Sequence, residues 1–206
     1  MLDRSLTLIL TAGLLIAIPT TIIKIWHLQQ DGAVKVAGWE DLAHAGIVTG
    51  PSDAAVHLVE FSDFTCRYSA ELHDIISELR DSGITIRRVY RHGINPNNAT
   101  SDAIERALAA ECIQVHEGFS SAVKSRLYST TGFRAGRLAP IYHDEVASCV
   151  NDGLHLPRII EDWAEAQRIG LRGTPTFIIN GELHVGVEDS DEVRALILAS
   201  AENGSE

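Results

Sequence analysis

The sequence predicts an α/β protein: a mixed four-stranded sheet covered by helices on both faces, with a helical insertion, preceded by an N-terminal transmembrane helix. Three observations predict it. The segment AVHLVEF (residues 55–61) is strand-like, a helix-period apolar stripe follows it, and the β-branched segment Ile84 to Tyr90 follows that, which is a strand–helix–strand unit. TFIIN and ELHVG flank the Asn180-Gly181 hairpin signal and lead into a last helical pattern. The run SLTLILTAGLLIAIPTTII, residues 5 to 23, holds no charged side chain over 19 residues. At ~1.5 Å per residue it nearly crosses a hydrocarbon core of about 30 Å.

Composition sets the outer bounds. The chain has 206 residues, 45% of them hydrophobic, which suits one ordinary domain plus an appendage. Its formal charge of −11 repels phosphate backbones, and no basic stripe offsets it, so nucleic acid is not an expected partner.

The elements follow in order. The apolar run ends in Lys24 and Trp26, an interfacial pair, and lacks a small-x-small cleavage site. A membrane anchor is therefore the expectation, with a cleaved signal segment and a buried core helix as the other readings. Residues 28–49 mix polarity and small side chains and read as a linker ending in a short packed segment. In the first strand, Val56, Leu58 and Phe61 are set against His57 and Glu60. Leu72, Ile75, Ile76 and Leu79 form the stripe of the next helix, which Gly83 stops. RHGINPNN (91–98) is a loop, and Thr100 or Ser101 caps a helix with Ile104, Leu108, Cys112 and Val115 on one face. Residues 119–148 read as broken helix. Pro157 suits a first helical turn, continued by Ile160, Trp163, Ala164 and Gln167. The last helix is capped by Ser190 or Asp191 and turns Val193, Leu196 and Ile197 inward. The expected domains are 1–27, anchor or signal segment; 28–49, linker; and 50–202, a globular domain with its insertion at about 99–155.

Three stretches, GPSDAAVHLVEFSDFTCRYS, RHGINPNNATSDAIERALAAEC and GLRGTPTFIINGE, together resemble the thioredoxin-fold thiol-disulfide oxidoreductases of the DsbA type. The resemblance covers roughly residues 50 to 200. It implies a thioredoxin fold, a reactive Cys66 and a cis peptide before Pro175. The chain departs from the family in one place: Ser69 stands where the C-x-x-C motif has its second cysteine, leaving a CxxS motif.

Cys66 would open the helix that follows the strand, where unsatisfied backbone N–H groups and the helix dipole favour a thiolate. Arg67 adds positive charge, and the Ser69 hydroxyl could donate to the sulfur. These three are the candidate catalytic residues. Thr174 and Pro175, with Tyr68, are the candidate substrate-binding residues, the Thr174 backbone pairing with an extended segment by strand addition. A lone thiol can form a mixed disulfide but needs an outside thiol for release. The expected function is thus an envelope thiol-disulfide oxidoreductase of the isomerase or reductase type. It would act on cysteine-containing proteins and low-molecular-weight thiols, with no cofactor. A redox-inert peptide-binding module is the alternative.

Cys112 and Cys149 lie 37 residues apart. A structural disulfide there would stabilise the fold by ~3–4 kcal/mol by closing that loop. A resolving role for either would need a long reach to Cys66. An oxidised pair requires an oxidising compartment, which places the globule outside the cytoplasm on an inner-membrane anchor. Nine histidines yield only Cys112 and His116 at i, i+4 and no third ligand, so no metal site is expected.

Overall fold

The computed structural model describes residues 34–116, 118–129 and 144–203, without the side chains of residues 121, 122 and 126. The run 5–23, expected as a membrane helix, lies outside the described residues. Among the described residues no helix is long and apolar enough to cross a membrane.

In chain order the elements are β1 (Val34–Lys35), α1 (Trp39–Leu42), β2 (Ile47–Thr49), β3 (Val56–Ser62), α2 (Arg67–Asp81), β4 (Ile86–His92), α3 (Ser101–His116), α4 (Ser121–Tyr128), α5 (Asp144–Asn151), α6 (Leu156–Arg168), β5 (Thr176–Ile179), β6 (Glu182–Val185) and α7 (Ser190–Asn203). The sheet has six strands rather than four, in the order β1-β6-β5-β3-β4-β2. Its inner four are the expected ones. The two additions come from the segment read as a linker. Its mixed polarity conceals a β-branched triplet, Ile47–Thr49, which pairs antiparallel with Tyr90 to Arg88. Leu42 and Ile47 are buried there.

β3 lies between β4, parallel, and β5, antiparallel. A central strand is buried on both faces, so its side chains divide by strict period two. Val56 and Leu58 pack with Leu72, Ile75, Ile76 and Leu79 of α2 and Val193 and Ile197 of α7. Val59 and Phe61 face the other way, against Leu42 and Ala166. Phe61 therefore does not share a face with Val56 and Leu58, and Glu60 is not on a solvated face; it is fully buried.

The helix stripes shift in the same manner. In α3 Leu108 and Cys112 are buried as expected, together with Ala103, Ala107, Ala110 and Ile113, while Val115 is 63% exposed. In α6 the inward residues are Ile159, Asp162 and Ala166, and Ile160 is 49% exposed. Small alanines carry these helix contacts, and a search for large side chains passes over them. The hairpin is as the sequence indicates: Asn180 and Gly181 both take positive φ, 47° and 93°, as a two-residue type I′ turn requires. Helices α3, α4 and α5, with Ile159 of α6, share a separate core that reaches the sheet through Phe64 and Tyr90. That core meets the sheet where β3 ends and Cys66 begins.

Candidate functional site

The loop after β3 is fixed before the cysteine is reached. Asp63 Oδ1 accepts from the N–H (2.7 Å) and hydroxyl (2.8 Å) of Thr65. The Asp63 carbonyl accepts the Cys66 N–H at 3.0 Å. Cys66 is the N-cap of α2, with extended φ and ψ of −86° and 123°. Its carbonyl accepts the Ala70 N–H at 3.1 Å. Its side chain makes no capping bond, so the sulfur is turned outward, partly exposed and unpaired with another sulfur.

That sulfur lies 3.1 Å from the Thr174 carbonyl oxygen, to which the thiol donates. The Thr174-Pro175 peptide is cis. The 173–176 loop is tied by the Thr176 hydroxyl donating to the Gly173 carbonyl (2.7 Å). Gly93 sets how closely it approaches. A Cβ there would stand 2.7 Å from Thr174 Cγ2 and 3.0 Å from the Phe61 carbonyl carbon. Only a residue without a side chain lets the end of β4 pass beneath Thr174.

The structure therefore brings Cys66, Thr174 and Pro175 together. Arg67 and Tyr68 are exposed beside them: the guanidinium lies 4.3 Å from the Tyr68 ring centroid and donates to its hydroxyl at 2.6 Å. Ser69 departs from expectation. It is fully buried, and its hydroxyl accepts from the Asp63 N–H at 3.4 Å. Donation to the Cys66 sulfur is not among the hydrogen bonds of the described residues. At the third helical position of α2 the side chain turns back toward the preceding loop. Ser69 is thus a brace for the loop that carries the cysteine. Cys112 and Cys149 are joined by an S–S bond of 2.01 Å between α3 and α5.

Beneath the site lies a cluster of charges that pattern reading of the sequence misses. Glu60 of β3 accepts from Arg88 of β4 (2.6 Å) and Lys124 of α4 (2.5 Å), and all three are buried. Arg88 also bonds His73 of α2 (3.1 Å), whose other ring nitrogen meets the Ser125 hydroxyl at 2.8 Å. Burial alone would raise the Glu60 carboxyl; Arg88 and Lys124 more than reverse that and hold it below the ordinary carboxylate range. Burial, then the charge of Arg88, pushes Lys124 well down. Burial and the same two cations press His73 to about 3, so it is a neutral imidazole at physiological pH. The signal in the sequence is one acidic residue in β3 beside the three arginines of β4. The parallel register sets Leu58 against Arg88 and Glu60 against Tyr90, making Glu60 and Arg88 diagonal neighbours.

The cluster connects to the cysteine through aromatic rings. Tyr128 stacks on His73 (5.4 Å between centroids) and packs against Phe64 (4.9 Å). Phe64 and Tyr128 are two walls of a cavity of about 260 Å³ that opens beside Cys66 and is completed by Thr65, Arg67, Ala70, Asp102 and Arg106.

Two groups of metal-type ligands are close enough to share an ion; in the first the two sulfurs are consumed by a disulfide, and in the second all three side chains are hydrogen-bonded. Cys112 and Cys149, near His155, are bonded to each other. Asp162, near His92 and Glu111, accepts from Arg91 (2.7 Å), Arg158 (2.6 Å) and the His92 N–H (2.9 Å). His92 Nε2 lies 2.9 Å from Glu111. His92 is therefore part of a buried brace between β4, α3 and α6.

Comparison with known proteins agrees with this geometry. A family model described as Thioredoxin matches residues 43–199. Among solved structures, the thiol-disulfide exchange protein alpha-DsbA2 of Wolbachia pipientis superposes with a TM-score of 0.65 at 18% identity, covering 78% of this chain and 91% of that one. Oxidised BdbD of Bacillus subtilis gives 0.64 at 19% identity, covering 82% and 98%. At these identities the likeness is one of fold. Among curated proteins, a Na(+)/H(+) antiporter NhaA of Salinispora tropica is 25% identical over 158 residues, which are 74% of this chain. The match spans only 24% of that antiporter's length.

Proposed function

Because the chain belongs to the Thioredoxin family over residues 43–199, we propose that it is a thiol-disulfide oxidoreductase acting on cysteine-containing proteins through the single thiol of Cys66. One observation carries the reading: a partly exposed, unpaired sulfur caps a helix 3.1 Å from the carbonyl that precedes Pro175. The other two cysteines are bonded to each other, so no second thiol of the chain can resolve a mixed disulfide.

The exchange runs in two displacements. The Cys66 thiolate attacks one sulfur of a substrate disulfide; a new S–S bond forms and the other substrate sulfur leaves as a thiolate. A further thiol then displaces the substrate or Cys66 and closes the cycle. Cys66 stands at the N-terminus of α2, and its sulfur serves first as nucleophile and then as leaving group. Arg67 adds a cation at the same end, Ser69 holds the loop, and Tyr68, Thr174 and Pro175 shape the surface on which an extended substrate backbone lies. Chemistry of this type shuffles or reduces disulfides; it cannot store an oxidised pair in the CxxS motif.

In this reading residues 1–27 anchor the protein in an inner membrane and the domain works on the extracytoplasmic side. The Cys112–Cys149 bond supports that side, since such bonds persist where the compartment is oxidising. The test is reduction of an insulin-type disulfide substrate and reactivation of a scrambled disulfide protein, with Cys66→Ala as comparison. Activity lost in Cys66→Ala supports the proposal. Equal activity in both proteins, or slow alkylation of Cys66 at mildly acidic pH, would leave only a redox-inert peptide-binding module.

A further inference from the structure

We propose that the cavity beside Cys66 is a specificity pocket, which receives an apolar or aromatic side chain flanking the cysteine of the substrate. The inference rests on the single-thiol reading above and names the class of segment on which that thiol acts. Cys66 is itself part of the cavity wall. A substrate sulfur joined to Cys66 Sγ therefore lies at the cavity mouth, with its neighbouring residue within reach. Neither Thr174 nor Pro175 lines the cavity, so it is a second contact, apart from the carbonyl 3.1 Å from the sulfur. The cavity's volume, about 260 Å³, lies just under the roughly 300–1,000 Å³ of sites for drug-sized ligands. That admits one side chain and excludes a folded domain.

The lining gives the chemical class. Phe64 and Tyr128 form an aromatic wall, and Ala70 adds only a methyl group beside it. The wall is held in place: the buried Phe64 ring stacks on Tyr90 (4.7 Å between centroids) and packs against Tyr128 (4.9 Å). The charged groups at the cavity are Arg67, Asp102 and Arg106, and each is engaged within the protein. Arg106 is buried and donates to the carbonyls of Leu127 (2.5 Å) and Ser129 (2.8 Å) and to Asp102 (3.1 Å). Arg67 lies over the Tyr68 ring and donates to its hydroxyl at 2.6 Å. A charged ligand would have to compete with these bonds, whereas an apolar side chain gains burial without breaking any of them. An aromatic one also packs edge-on or offset against Phe64 and Tyr128. The position is fixed by the chemistry of exchange, because the substrate must bring its cysteine to Cys66 and its flanking residue comes with it.

The test uses the full chain and short peptides whose single cysteine is joined to 2-thiopyridine. The Cys66 thiolate attacks the peptide sulfur. The bond to Cys66 forms, the bond to the pyridine sulfur breaks, and the departing thiopyridine takes up the proton that Cys66 lost; its release is followed by absorbance. The residue before or after the peptide cysteine is Gly, Leu, Phe, Asp or Lys. Each rate is divided by that peptide's rate with 2-mercaptoethanol, which removes differences in intrinsic reactivity. At one of the two positions the Leu and Phe peptides should exceed the Gly peptide by about tenfold, as partial burial of such a side chain allows, and the Asp and Lys peptides should not exceed it. Ala70→Leu, which fills the cavity, and Ala70→Asp, which places a charge in it, should each bring the apolar-to-Gly ratio down toward one. That ratio is taken on one protein, so a loss of folded molecules does not change it. Equal normalised rates for the Gly, Leu and Phe peptides, a charged peptide faster than these, or a ratio unchanged in either variant would overturn the inference while leaving Cys66 reactive. Failure of Cys66 to react with any peptide would instead count against the single-thiol function itself.

Discussion

The most consequential single residue outside the cysteine is Glu60, a carboxylate in a central strand with no contact to water. Two cations justify its burial, and the arrangement fails if the carboxylate is neutralised. Glu60→Gln leaves Arg88 and Lys124 buried without their counter-charge and should destabilise the fold by about 3–5 kcal/mol, read from urea unfolding. His73 gives the same cluster a pH signature. Arg88, Lys124 and Glu60 act on its ring, Tyr128 stacks on it, and its folded-state value is about 3. The unfolded chain would protonate near 6.5. Between those limits the unfolded state binds the extra proton, so stability is present above about pH 6.5 and falls progressively as pH drops toward 3. His73→Gln should flatten that slope over pH 6.5 to 4, measured by thermal melts across the range. None of these partners can be read from periodicity. In the sequence Glu60 reads as part of the polar face of an alternating strand and Arg88 as one of three arginines in β4, and only strand register and the placement of α4 reveal that they meet.

At the scale of elements, the site is made by two strand ends and a helix start. Gly93→Ala tests that construction. The added methyl meets Thr174 Cγ2 and the Phe61 backbone, so either β4 or the 173–176 loop must move. We expect a loss of about 1–3 kcal/mol, with exchange by Cys66 slowed beyond what the lost stability explains; unchanged exchange in a folded variant would show that the distance to Thr174 is immaterial. Thr174 and Pro175 are legible only through the family resemblance, which implies a cis peptide there, whereas Cys66 is legible in the sequence as the residue at the junction of strand and helix. The strand–helix–strand unit and the Asn180-Gly181 hairpin are legible for a related reason: each depends on neighbours in sequence. The inward face of α3 is legible in part, since Leu108 and Cys112 are buried and Ile104 packs against the same core while Val115 is exposed; that of α6 is less so, because Asp162 and Ala166 face inward and leave no strong hydrophobic signal. Ser69 is visible as a missing thiol, but its bond to Asp63 is a loop contact with no counterpart in spacing.

Among the described residues, the helical core joins the sheet through Ile47 and Tyr90, and the Cys112–Cys149 bond pins its helical side. Closing a loop of 37 residues contributes ~3–4 kcal/mol in the chain-entropy account. Replacing both cysteines by alanine should lower Tm by roughly 10 °C for a domain of this size, measured by calorimetry, while Cys66 keeps its reactivity. A larger effect on exchange than on Tm would mean that the bond also sets the site. The segment 34–49 has a wider role than its length suggests. β1 lies against β6 at one margin of the sheet, β2 lies against β4 at the other, and Leu42 between them is buried against the sheet. One short stretch therefore supplies both edge strands, only two and three residues long. A protein trimmed to begin at Gly50 would exchange these short edges for the longer β6 and β4, two bare rows of amides and carbonyls on opposite sides, and such two-sided stickiness builds open-ended fibres rather than closed pairs.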